Sequence, residues 1–207
     1  AHSGISWSRR SRVNAGSLGR LHRREHHTVN ALAYVKASVP ADDPAPVVEM
    51  DDDSSPVLRP LVGELLVSYV IDQGSHLELI NGAQMRELGL TADDLHARAV
   101  ANLAAFAEGR VNLRRAGTVN ALYLDGNFEA SLLLLDELWN EQLRSYYTTP
   151  PVVAVPARDV LAFSEVGSAG GIAELRQVVE RVWPGGDHLL SRSLFVRREG
   201  CWSLFRE

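Results

Sequence analysis

The apolar positions between Thr118 and Leu143 form the densest pattern in the chain, TVNALYLDGNFEASLLLLDELWNEQL. Val119, Ala121, Leu122 and Leu124 predict a strand, and Asp125-Gly126-Asn127 predicts a turn. Glycine accepts positive φ there, and Asn127 is suited to cap the free N–H groups of a following helix. Leu132, Leu135, Trp139 and Leu143 recur at steps of three and four, which predicts a helix with one buried face. Leu133, Leu134 and Leu138 widen that face, so the helix is expected to lie against a sheet.

The same alternation of elements extends to either side. Leu61 to Ile71 reads as a long apolar strand, Asp72-Gln73-Gly74-Ser75 as a turn, and His76 to Ile80 as a return strand. Asn81-Gly82 ends that hairpin, and Gln84 to Leu88 predicts a helical turn closed by Gly89. Thr91 is a good N-cap, with Asp94 as the capping-box acid. Leu95, Ala99, Leu103 and Phe106 then form a helical stripe ending near Gly109.

Val111 to Arg115 predicts a strand joined to Val119–Leu124 through Ala116-Gly117. After Pro150-Pro151, short strands at Val152–Val155 and Val160–Phe163 flank Pro156-Ala157-Arg158-Asp159. A helix follows Gly170-Gly171, carrying Ile172, Leu175, Val179 and Val182. Trp183-Pro184-Gly185-Gly186 stops it. Leu194 to Arg198 and Cys201 to Phe205 predict a final hairpin around Glu199-Gly200. The expected fold is α+β, a largely antiparallel sheet built from three strand-strand-helix units and a terminal hairpin, with helices mainly on one face.

Residues 1–55 depart from this pattern. They are basic up to Lys36, then proline-rich and acidic through Asp51-Asp52-Asp53, and only Val29 to Val35 hints at a buried element. This stretch is expected to be a poorly ordered or loosely packed arm, because its apolar content is too small to offset the entropy of ordering. Residues 56–207 are expected to form a single domain. The chain has 207 residues, a net charge of −5 and 45% hydrophobic residues, which fits an ordinary globular protein. That charge argues against nucleic-acid binding except through the basic arm. One cysteine, Cys201, excludes an intrachain disulfide framework and suits a reducing compartment. With no apolar run of membrane-spanning length and no signal-type leader, the expected location is the cytoplasm.

The segments PLVGELLVSYVID (60–72), LGLTADDLHARAVANL (88–103), DGNFEASLLLLDELW (125–139), PVVAVPARDVLAFSE (151–165) and LFVRREGCWSLF (194–205) resemble the YtpQ-like bacterial family of unknown function. The resemblance covers about residues 57–207 in the same order. It implies a cytoplasmic bacterial protein with a mixed α and β domain, and it implies no reaction.

Candidate sites each have a plain structural alternative. Asp125, Asn127 and Glu129 sit at a strand-to-helix turn, where free N–H groups can hold an anion. The two carboxylates can equally cap that end themselves. Arg158 and Asp159 lie between two strands, where the guanidinium can bind a phosphate or carboxylate, or can form an internal ion pair. Cys201 invites a thiol-nucleophile reading, with His188 as base and Asp187 or Asp159 as its orienter. A half-buried strand cysteine is the reading its neighbourhood favours. His76 and His96 read as surface or capping groups. His22, His26 and His27 lack a second ligand cluster, so no metal or cofactor is expected. Tyr146 and Tyr147 are candidates for partner contact.

No complete catalytic constellation emerges. The sequence therefore predicts a non-enzymatic protein-interaction module: a regulator, an adaptor or an immunity-type inhibitor with a protein partner. The alternative is an enzyme or small-ligand binder for an anionic substrate. In it, Arg158 would hold the anion, Asn127 would orient it, and Asp125 or Glu129 would act as base. That alternative requires the turns at 125–129 and 158–159 to meet.

Overall fold

A computed structural model of the chain describes residues 3–4, 30–38 and 51–206. The architecture is α+β with antiparallel sheets, as expected, but the strands are divided between two sheets. The smaller has four strands: β2 (Leu32–Ala37), β3 (Leu58–Val62), β4 (Leu65–Asp72) and β5 (Leu77–Leu79). The larger has seven, ordered β1-β6-β7-β9-β8-β10-β11. These are β1 (Ser3–Gly4), β6 (Asn112–Ala116), β7 (Val119–Tyr123), β8 (Pro151–Ala157), β9 (Val160–Glu165), β10 (Leu194–Arg198) and β11 (Cys201–Leu204).

The helices are α1 (Gly82–Glu87), α2 (Ala92–Ala107) and α3 (Ala169–Val182), and α2 and α3 cover different sheets. α2 begins with the expected capping box, in which Thr91 Oγ1 accepts from the Asp94 N–H and Asp94 accepts from the Thr91 N–H. It lays Leu95, Ala99 and Leu103 on the small sheet. α3 packs Ile172, Leu175 and Val179 on the outer face of the large sheet, against Val152, Ala154 and Val196. The residues between them in sequence, Val153, Val155 and Phe195, face the main core shared with the small sheet. Period-two alternation in β8 and β10 thus separates two cores.

The run Leu61 to Ile71 is not one strand. It is a hairpin that turns at Gly63-Glu64, with Gly63 at φ +55. The hint of burial at 29–35 corresponds to β2, in which Leu32, Ala33, Tyr34 and Val35 are buried. This strand pairs with β4 from Leu32↔Val70 to Ala37↔Leu65. The Asn102 side chain also holds it, donating to the Ala31 carbonyl at 2.8 Å. The histidines at 22, 26 and 27 lie outside the described residues.

The largest departure is the Leu-rich stretch. In place of one α-helix it forms a 3₁₀ turn (Ala130–Leu134), extended backbone at Leu135, a π turn (Leu138–Gln142) and a second 3₁₀ turn (Arg144–Tyr146). Leu132, Leu133, Leu135, Leu138, Trp139 and Leu143 are all buried. Consecutive positions on a helix point about 100° apart, so an α-helix would send Leu132 to Leu135 around its whole circumference. The irregular path brings them to the core, and side chains replace the lost ladder. The Trp139 indole N–H donates to the Leu132 carbonyl and that of Trp202 to the Leu133 carbonyl, each at 2.9 Å. Ser131 Oγ accepts from the buried Val35 N–H at 3.0 Å, tying the stretch to β2.

Among the described residues, no helix is long and apolar enough to cross a membrane.

Gly171 marks the closest approach of α3 to the sheet. A Cβ there would lie 1.9 Å from Ser164 Oγ on β9. Gly171→Ala is expected to destabilise the fold by about 1–3 kcal/mol, the usual cost of overpacking, as a lowered urea midpoint. An unchanged midpoint would show that α3 can move away from β9 without penalty.

Candidate functional site

The turns at 125–129 and 158–159 do meet. The Ala130 N–H donates to the Arg158 carbonyl at 3.0 Å, and Gly126, Arg158 and Asp159 line one cleft. The carboxylates in this junction serve the backbone. Asp125 Oδ1 accepts from the N–H groups of Asn127 and Phe128, both at 3.1 Å. The turn is thus closed by Asp125, where the sequence pointed to Asn127 as the cap. Glu129 is 2% exposed, and its Oε1 accepts from the N–H groups of Leu124 and Gly126, both at 2.8 Å. Its other oxygen is buried with no hydrogen-bond partner.

Arg158 is half-buried and Asp159 exposed. A bulge in β8 governs where they emerge. Ala154 pairs with Ala162, but Ala157 pairs with Val160, so β8 carries one extra residue. Pro156, which has no N–H to give a ladder, sits within this irregularity, as proline in a strand should. Its carbonyl accepts from the Leu190 N–H at 2.9 Å, and the Arg158 N–H donates to the His188 carbonyl at 3.2 Å. The segment 188–190 is thereby fastened beside Arg158.

Two clefts share Arg158 and His188. The first, of about 410 Å³, lies between the small sheet and the end of β8. Its wall is mostly apolar, with Val35, Val70, Leu77 and Leu79 among the lining residues, and Tyr34, Lys36 and His76 add polar groups. The second, of about 510 Å³, is polar and includes Arg181 and Asp187. His188 Nε2 lies 3.3 Å from the Asp187 carboxylate. Burial raises the pKa of the Tyr34 hydroxyl above its ordinary value, while a hydrogen bond with Arg158 and its positive charge pull the other way. The phenol therefore stays protonated at neutral pH, and a cation stands beside it.

Tyr34 and Lys36 were not singled out in the sequence. The hint of burial at Val29–Val35 was the signal for them, because a strand there brings a tyrosine to a sheet edge. Tyr146 and Tyr147 lie apart from this site. Tyr146 is 40% exposed, whereas Tyr147 is half-buried and its hydroxyl donates to the Trp139 carbonyl.

The thiol-nucleophile arrangement does not assemble. Cys201 is exposed on β11, not half-buried, and it pairs with Arg198. Pairing of Val196 with Val152 carries that hairpin to the Pro151 end of β8, while His188 lies at the Ala157 end. Six steps along a strand separate these ends by about 20 Å. His96 is also not a surface or capping group, since its Nδ1 lies 3.1 Å from the Tyr69 hydroxyl between α2 and β4. Among the described residues, no group of three or more histidine, cysteine, aspartate or glutamate side chains is placed to hold a metal ion.

Glu129→Ala is expected to leave two N–H groups without their acceptor, at about 1–3 kcal/mol, measured by urea unfolding. His96 gives a pH test. Burial, and after it the Arg59 charge, lowers its pKa from the ordinary 6.5, with Asp93 opposing. Below that value the unfolded chain takes up the proton first, so stability falls as pH falls. The wild-type urea midpoint should drop between about pH 7.5 and 5.5 more than that of His96→Gln. Equal drops would remove His96 as the cause.

No protein-family model, no curated protein and no solved structure matches the chain.

Proposed function

We propose that the protein is a binding module for a small amphipathic anion, a molecule with an apolar body and a carboxylate or phosphate head. The observation that carries this reading is the position of Arg158 on the wall of a mostly apolar cleft of about 410 Å³, with Lys36 on the same wall. A volume of that size suits a small-molecule site. The apolar wall takes the body, and the guanidinium takes the head through charge-assisted hydrogen bonds, with the protonated Tyr34 hydroxyl as a further donor.

The same geometry argues for binding over turnover. Asp125 and Glu129, the candidate bases, do not line that cleft, and the unpartnered oxygen of Glu129 is buried. A general base needs a lone pair facing the substrate proton. The reading retains kinship with the YtpQ-like family over residues 57–207, and a reducing, cytoplasmic bacterial setting for the single cysteine. A second reading, contact with a protein partner through Tyr146, is favoured by that side chain's 40% exposure. The two are compatible in a ligand-responsive regulator or adaptor.

Octanoate and 1-octanol form a matched probe pair, equal in chain and different in charge. By isothermal titration, octanoate should bind the full chain at least about tenfold more tightly than octanol, the worth of one charge-assisted hydrogen bond. Arg158→Ala should abolish that preference and leave octanol binding unchanged. Equal affinities in the wild type, or no binding of either probe, would overturn the proposal.

A further inference from the structure

The far end of β8 carries a separate cationic cleft. It measures about 530 Å³ and lies between residues 147–151 and the turn joining β10 to β11. Arg144, Arg197 and Arg198 line it, and Glu199 is the acidic residue among the lining groups. Arg197 is 6% exposed. Its terminal nitrogens donate to Asn140 Oδ1 and Asp136 Oδ1, both at 2.5 Å, and its Nε is buried with no partner. The Asp136 side chain that offsets this charge is 76% exposed, so its field is weakened by water. A buried guanidinium with an unfilled donor and a screened counter-ion retains a demand for negative charge.

The surroundings supply further donors and shape. Arg144 is held over the Tyr147 ring at 5.3 Å, and its Nη1 donates to the Tyr147 carbonyl at 2.8 Å. That contact fixes the side chain at the cleft. Glu165 does not line the cleft, and its Oε2 accepts from the N–H groups of Thr148 and Thr149, both at 2.7 Å. Those hydrogen bonds lower its pKa and clamp the loop that forms the opposite wall. The cleft is therefore held in shape from both sides.

We propose that this cleft binds a small tetrahedral oxyanion of the phosphate class, independently of the site at Arg158. Arg198 and Arg144 approach from the rim and Arg197 forms the floor. Free phosphate and the head of a phosphomonoester share this chemistry, and the remaining volume beside Tyr147 and Pro150-Pro151 is large enough for an organic substituent.

The test titrates orthophosphate and phenyl phosphate into the full chain by calorimetry, at ionic strength held constant with chloride. Saturable binding of either that depends on Arg144 and Arg198 supports the proposal, and the tighter of the two identifies the source. Arg144→Ala and Arg198→Ala should each weaken binding by about tenfold or more, the loss expected for one charge-assisted contact. Both side chains are exposed, so these variants keep the fold. Arg158→Ala should leave the binding of orthophosphate, which has no apolar body for the Arg158 cleft, unchanged, and octanoate binding should survive in Arg144→Ala and Arg198→Ala. Failure at one site is thus read separately from failure at the other. Absence of saturable binding, or binding indifferent to Arg144 and Arg198, would overturn the inference.

Discussion

Burial of β8 on both faces is the constraint from which the remainder of the structure follows. All seven of its residues, Pro151–Ala157, are buried. A strand with no solvated face must be covered twice. α3 covers one side, and the small sheet with the Leu-rich stretch covers the other. Strands β9 and β10 protect its edges, completing the backbone pairing. The clefts that hold Arg158 and Arg197 lie at its two ends.

Charge is distributed unequally in consequence. Carboxylates close to the junctions are consumed by the backbone: Asp125 and Glu129 by the turn after β7, and Glu165 by the loop before β8. Guanidinium groups donate and never accept, so the free backbone N–H groups of these turns do not engage them. Arg197 reaches the side chains of Asn140 and Asp136 in a distant segment, and Arg158 faces two clefts. An acidic protein thereby presents two cationic recesses, which its net charge of −5 conceals.

Most elements were legible because their signals are local. Thr91 and Asp94 announce α2, and Trp183-Pro184-Gly185-Gly186 ends α3. The Leu-rich stretch was misread because period counting fails once every face is apolar. Several helical phases then fit Leu132 to Leu135, and the backbone path is held by long-range bonds such as those from the Trp139 and Trp202 indoles and from Val35 to Ser131. The turn at Gly63-Glu64 was hidden inside a continuous apolar run. In the site, Arg158 is visible as a turn residue between two strands, but its meeting with the 125–129 turn depends on pairing across the sheet that no local signal encodes. Tyr34 and Lys36 were not visible, because pairing with β4 brings them from a segment whose composition resembles a tail.

The single extra residue in β8 gives the cleft a hidden dependence on chain length. A bulge absorbs the added residue, so Ala154 still faces Ala162 and Ala157 still faces Val160 although the two strands differ in count. What the irregularity changes is the course of the backbone, which bends and twists where Pro156 offers its carbonyl to Leu190. A descendant lacking that one residue would keep every functional side chain in its sequence, yet straighten the strand end that holds the 188–190 segment beside Arg158. Sequence identity at the site and competence of the site are, for this protein, different quantities.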